Sequence, residues 1–301
     1  MRVFNQEIKL PLLKEKGVQL FIKREDLIHP HISGNKYRKL KYNIDEAKQQ
    51  GIKTLLTFGG AFSNHIAASA YAGRLSGFKT IGVIRGEELK DKWKENPTLQ
   101  LAYENGMQFH FVSRAVYKIK STTVFLEEMK SRFGAFYLLP EGGTNALAVK
   151  GCEEILNKED GGFDVLSCSV GTGGTLAGLI NSAAPHQKVL GFSALYGNFL
   201  SDDIRKFANN ENWELISDYH FGGYAKITER LVRFINDFKK ETGISLDPVY
   251  TGKLLFGVLE KIEKGHFSKG TKILVIHTGG LQGVLGMNII LKKKNLPLLA
   301  I

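Results

Sequence analysis

Asp164-Val165-Leu166-Ser167-Cys168-Ser169-Val170 runs straight into Gly171-Thr172-Gly173-Gly174-Thr175, and a helical pattern over 176–184 follows. An apolar run, a glycine turn and a helix form the repeating unit of a parallel α/β sheet. Glycines let the backbone approach a ligand and aim successive N–H groups at it. The helix start adds positive potential, so the turn reads as a phosphate cradle; the ligand-free alternative is a tight turn. A dinucleotide fingerprint needs a third glycine where Leu176 stands, and an acidic residue about 20 positions on. Neither is present, and no Gly-Lys-Ser/Thr of a nucleotide loop occurs. A small phosphorylated cofactor fits better than NAD or ATP.

The same unit recurs outward from this stretch. Apolar runs at 53–60, 80–85, 107–113, 136–140, 189–193 and 271–277 alternate with helical patterns at 63–75, 99–105, 122–132, 146–156, 228–242 and 254–264. The segment 200–217 carries little signal. The expectation is an α/β fold whose ligands gather beyond the carboxyl ends of the strands.

Composition sets limits on function. The chain has 301 residues, 43% hydrophobic and 24% charged, as in an ordinary globular protein. Cys152 and Cys168 are too few for a disulfide framework and show no metal-ligand spacing, which suits a reducing cytoplasm. The first ten residues do not read as a signal peptide, and no apolar run reaches a membrane span. The net charge of +11 allows nucleic-acid binding, but the lysines are dispersed and no nucleic-acid motif appears, so none is expected.

Three further clusters suggest chemistry. In Ser33-Gly34-Asn35-Lys36-Tyr37-Arg38-Lys39-Leu40, Lys36 falls near a helix N-terminus, where positive potential favours the neutral, nucleophilic amine. Arg38, Lys39 and Lys41 read as a solvated or phosphate-attracting face. Ser63-Asn64-His65 follows a strand and a Gly-Gly turn, and offers hydroxyl, amide and imidazole groups suited to a carboxylate. Ser63 also reads as a helix cap, and no Gly-x-Ser-x-Gly elbow supports a hydrolase. His29 and His31 lack a third metal ligand. Tyr224 and Tyr250 read equally as core or active-site groups, whereas Thr278 closes the last strand and points into the expected crevice.

Together, Lys-Arg-Glu-Asp-Leu (23–27), Ser-Gly-Asn-Lys (33–36), Ser-Asn-His (63–65), the 171–175 loop, Asp-Pro-Val-Tyr (247–250) and His-Thr-Gly-Gly (277–280) resemble the 1-aminocyclopropane-1-carboxylate deaminase/D-cysteine desulfhydrase family. These are fold type II pyridoxal-phosphate enzymes. The resemblance implies two open, twisted, mostly parallel sheets flanked by helices. It implies a large cofactor domain over 1–45 and 138–301, and a smaller inserted domain over 46–137. It also implies pyridoxal 5'-phosphate held covalently by Lys36, which then moves the substrate's α-proton. Asn64 would meet the ring hydroxyl, Gly171 to Thr175 the phosphate, and Thr278 the ring nitrogen. Ser63 and His65 would grip the carboxylate of a small amino-acid substrate, with Tyr224 and Tyr250 facing it. A homodimer is implied as well. Deaminases proper resemble Tyr-Glu after Pro-Val; Tyr250-Thr251 here resembles the desulfhydrase branch. A neutral Thr251 near the ring nitrogen gives a weaker electron sink, suited to losing a β-thiolate rather than opening a cyclopropane.

Overall fold

The computed structural model describes residues 3–197 and 200–300. Ten strands form two sheets. They are β1 (Asn5–Ile8), β2 (Gln19–Lys23), β3 (Thr54–Gly60), β4 (Lys79–Arg85), β5 (Met107–Val112), β6 (Tyr137–Leu139), β7 (Val165–Val170), β8 (Lys188–Ser193), β9 (Trp213–Ile216) and β10 (Lys272–Ile276). The six-stranded sheet has the order β1-β2-β10-β7-β8-β9, the four-stranded sheet β5-β4-β3-β6. All pairings are parallel except β1 with β2. β6 spans the expected domain border at 137/138 and pairs with β3 in the smaller sheet.

Parallel strands are buried on both faces, and β10 illustrates this. Ile273 and Val275 enter one apolar cluster, whereas Leu274 and Ile276 enter another on the opposite face. β7 divides likewise, with Val165 on the first face and Leu166, Cys168 and Val170 on the second. That two-residue alternation between two buried faces explains the unbroken hydrophobicity of the opening stretch.

The expected helices form, and Ser63 is the cap that the sequence suggests. Ser63, Thr122 and Thr228 accept backbone N–H bonds at the starts of helices Asn64–Leu75, Thr123–Phe133 and Glu229–Thr242. Within 200–217 lie helix Leu200–Arg205 and strand β9; residues 198 and 199 lie outside the described residues. These elements carry little signal because both are short. No helix among the described residues is long and apolar enough to cross a membrane.

Candidate active site

A cleft of about 370 Å³ opens beyond the carboxyl ends of both sheets. Its lining includes Gly60 and Arg85 from the ends of β3 and β4, Val170 to Gly173 after β7, and Thr278 after β10. Lys36, Ser63, Asn64, His65, Tyr224, Tyr250 and Thr175 also line it, which brings together residues spread over most of the chain.

Lys36 occupies the first turn of helix Asn35–Gln49. Its Nζ donates to Asn35 Oδ1 at 3.0 Å, and Asn35 in turn donates to Thr175 Oγ1 at 2.8 Å. Burial, aided by the positive charge of Lys39, lowers the Lys36 amine to about 7. The entry to this helix is fixed by close backbone packing. Gly34 has φ +60°, and a Cβ there would lie 2.0 Å from the Thr278 carbonyl oxygen. Gly279 answers it, since a Cβ there would lie 2.1 Å from Ser33 Oγ.

Lys39 departs from the expected solvated face, as it is buried on the inner side of the helix with Leu40 and Asn43. Its Nζ reaches Thr144 Oγ1 at 2.8 Å, the Gly142 carbonyl at 3.1 Å and Thr172 Oγ1 at 3.4 Å. All are neutral acceptors, and burial lowers this amine too. Arg38 and Lys41 differ from it in being paired. Arg38 meets the buried Glu25 at 2.9 Å, and Lys41 meets Glu154 at 2.6 Å.

At the other end of the cleft, Ser63 Oγ caps helix Asn64–Leu75 by accepting from the Ile66 N–H at 3.3 Å. The first-turn N–H groups have no acceptor within a helix and offer an anion site. The His65 imidazole does not share in it as expected. Nε2 lies 2.7 Å from Thr57 Oγ1 and Nδ1 3.5 Å from Ser69 Oγ, so both ring nitrogens face partners inside the smaller sheet's layer. Burial holds the ring neutral, well below the usual histidine range. Asn64 is fixed by Gln282, whose Nε2 donates to Asn64 Oδ1 at 2.8 Å; no sequence signal singled out Gln282.

Tyr224 and Tyr250 face each other with ring centroids 6.2 Å apart. The Tyr250 ring lies against Gly171, where a Cβ would come within 3.1 Å of it. Burial raises both phenols, Tyr250 well above its ordinary value, so both stay protonated at neutral pH. Thr278 Oγ1 lies 3.3 Å from Ser169 Oγ and lines the cleft.

Thr251 corrects an expectation. It is fully buried and lies outside the cleft lining, and its hydroxyl donates to the Asp247 carboxylate at 2.7 Å. Asp247 also accepts the N–H groups of Val249, Tyr250 and Thr251. Thr251 therefore completes a cap at the start of helix Thr251–Glu263 and does not reach a ligand.

The residues present fit pyridoxal phosphate. Lys39 is a buried cation that meets only neutral oxygens, and it lies where the glycine loop begins helix Gly174–Ser182. A Cβ on Gly174 would stand 3.3 Å from its Nζ. A phosphate there would supply the missing negative charge. In the same cleft, Lys36 is an amine already near neutrality, able to condense with an aldehyde.

Residues 5–279 match the family model described as "Pyridoxal-phosphate dependent enzyme". A Pyrococcus horikoshii protein named "Putative 1-aminocyclopropane-1-carboxylate deaminase" is 32% identical over 287 residues, covering 90% of this chain and 87% of its own. The Arabidopsis thaliana mitochondrial bifunctional D-cysteine desulfhydrase/1-aminocyclopropane-1-carboxylate deaminase is 33% identical over 297 residues, covering 89% of this chain and 74% of its own. A solved 1-aminocyclopropane-1-carboxylate deaminase homologue superposes with TM-score 0.80 at 31% identity, over 94% of this chain and 91% of its own. A hydrogen sulfide-producing enzyme from Fusobacterium nucleatum shares the fold at TM-score 0.68 and 18% identity, over 92% and 93%. The chain belongs to the pyridoxal-phosphate-dependent enzyme family, within its 1-aminocyclopropane-1-carboxylate deaminase/D-cysteine desulfhydrase group, and its fold is fold type II.

Proposed function

From that membership we propose that the enzyme eliminates thiolate from D-cysteine, which with one water gives pyruvate, ammonia and hydrogen sulfide. The observation that carries the choice is the neutral pair Thr278 and Ser169 at the cleft wall expected to meet the pyridine nitrogen. The position where a deaminase-like acid would stand is Thr251, which is turned away from the cleft and already bonded to Asp247. The reading thus rests on Thr278 and Ser169 rather than on Thr251.

Pyridoxal phosphate, when bound, supplies an electron sink for the charge left at the substrate's α-carbon. Lys39, Thr172 and the N–H groups at the start of helix Gly174–Ser182 hold its phosphate. Asn64, fixed by Gln282, meets the ring hydroxyl. The substrate carboxylate binds at the start of helix Asn64–Leu75, on the Ser63 hydroxyl and the Asn64 and His65 N–H groups. Lys36, with its amine lowered to about 7, is the base that takes the α-proton. Tyr224 and Tyr250 stay neutral and donate to groups that gain negative charge, the departing sulfur among them. The two-domain division at 46–137 and a homodimer complete the proposal; light scattering on the purified protein tests the dimer.

The second reading, opening of 1-aminocyclopropane-1-carboxylate to 2-oxobutanoate and ammonia, is favoured by the name of the Pyrococcus horikoshii relative, whereas the Arabidopsis relative is named for both activities. Cofactor-loaded protein is given each substrate, and keto acid and sulfide are measured. The proposal expects kcat/KM for D-cysteine at least about tenfold higher, near what one missing stabilising contact is worth. Release of 2-oxobutanoate without pyruvate or sulfide would sink it.

A further inference from the structure

Tyr224 sits in a backbone with unusual torsions. Phe221 and Ala225 have φ of +53° and +55°, and Gly222 and Gly223 have +91° and +109°. Residues with side chains rarely occupy that left-handed region, so neighbouring structure must impose it. The loop's own turn bonds, Gly223 N–H to the His220 carbonyl at 3.0 Å and Lys226 N–H to the Gly223 carbonyl at 3.2 Å, are joined by restraint from one helix. From helix Thr251–Glu263, the Phe256 ring packs edge-on against Phe221 with centroids 5.0 Å apart, and it also meets Tyr219. Lys253, three residues earlier on the same face, is 2% exposed. Its Nζ donates to the His220 carbonyl at 2.8 Å and to the Gly223 carbonyl at 2.8 Å. Tyr250, which precedes the helix, is a further three residues back along this face.

Lys253 has no carboxylate within hydrogen-bonding reach among the described residues. Asp247, the nearest acid acting on it, already accepts three N–H groups and the Thr251 hydroxyl. Burial lowers the Lys253 amine to about 8. A lysine kept in so unfavourable a setting, with both bonds to one short loop, needs a reason in that loop.

We infer that Lys253 is a positioning residue: its ammonium ties the carbonyls of His220 and Gly223 to the helix face headed by Tyr250, and so holds Tyr224 beside Tyr250 in the cleft lining. The inference rests on the reading of these two tyrosines as groups that face substrate. It assigns Lys253 no contact with substrate or cofactor.

The test uses cofactor-loaded Lys253→Met, Lys253→Arg, Tyr224→Phe and the Lys253→Met/Tyr224→Phe pair. Amide hydrogen exchange over 219–226 is expected to quicken at least about tenfold in Lys253→Met, the scale of one lost charge-assisted hydrogen bond, and to recover in part in Lys253→Arg. Exchange in β7 stays unchanged. With D-cysteine, kcat falls by about tenfold or more while KM changes little, and Lys253→Met has no further effect once Tyr224 is phenylalanine. Unchanged exchange over 219–226 overturns the clamp, and equal losses in both backgrounds overturn its action through Tyr224. If Tyr224→Phe alone keeps full turnover, the role given to Tyr224 fails, while the exchange data still decide whether Lys253 holds the loop. Should Lys253→Met not accumulate as folded protein, Lys253→Gln takes its place under the same outcomes.

Discussion

In two of the places where this protein buries lysine, it does so in opposite ways. At the back of the six-stranded sheet, Lys23 is 2% exposed and lies 2.7 Å from Asp160, which also accepts from Asn5. That pair joins β2 to the 157–162 turn, and each charge finds its opposite. At the cleft, Lys36 and Lys39 have no carboxylate partner among the described residues, and burial lowers both. A buried charge costs several kcal/mol unless it is paired. Pairing makes Lys23 part of the architecture. Its absence makes Lys36 a reactive amine and Lys39 a cation suited to an anion from outside the chain.

Removing each lysine or its partner should separate the two kinds. Lys36→Ala has the largest effect: kcat falls by about a thousandfold or more, the scale of losing a covalent catalyst, and the visible cofactor band disappears. A normal band in that variant would break the comparison at its centre. Asp160→Ala comes next. It leaves Lys23 buried and unpaired, so denaturant unfolding should show a loss of about 3–5 kcal/mol, with the cofactor band unchanged in the folded protein.

Lys39→Met should do the reverse. Cofactor affinity, read by equilibrium dialysis, should drop about 10- to 100-fold, the worth of one hydrogen bond to a charged group. The cofactor-free protein should be as stable as the parent or more so, because an unpaired buried cation is gone. Lower stability of that cofactor-free variant would place Lys39 with Lys23.

A pH measurement sharpens the contrast further. The neutral amine is the nucleophile, and Lys36 titrates at about 7, below its ordinary 10.5. Cofactor uptake by the cofactor-free protein should therefore rise about tenfold from pH 6 to pH 8 and then level. An uptake rate still climbing at pH 10 would return Lys36 to ordinary lysine behaviour. The smallest effect belongs to Lys41→Ala, which removes a half-exposed pair with Glu154: stability should change by no more than about 1 kcal/mol, and turnover not at all.

Much of this was legible in the sequence. Unbroken apolar runs ending in glycine turns marked the parallel strands, since strands buried on both faces leave that signature. Lys36 was legible through its helix start, and the turn from β7 into the next helix through its glycines. Lys39 was misread because four basic residues in six positions look like a solvated face. Yet Lys36, Lys39, Leu40, Asn43 and Ala47 repeat at helical spacing, and that pattern puts Lys39 inward. The His65 ring and the Thr251 hydroxyl were beyond local reading. Their partners, Thr57 and Asp247, compete with any ligand, and only packing decides that competition. β1 was missed as a short antiparallel edge strand, and Gln282 because its partner Asn64 lies far away in sequence.

The interlock of Gly34 with the Thr278 carbonyl also bears on how the enzyme is made. β10, which pairs with β2 and β7 in the middle of the larger sheet, is the last strand among the described residues. A ribosome must deliver the chain past Gly279 before Ser33 and Gly34 meet Thr278 and Gly279. The smaller sheet, complete by Leu139, can form well before that. An unfinished chain therefore exposes Lys36 without the wall that completes its cleft. Capture of the cofactor becomes a late event in biogenesis, reserved for chains in which β10 and the turn after it have been made.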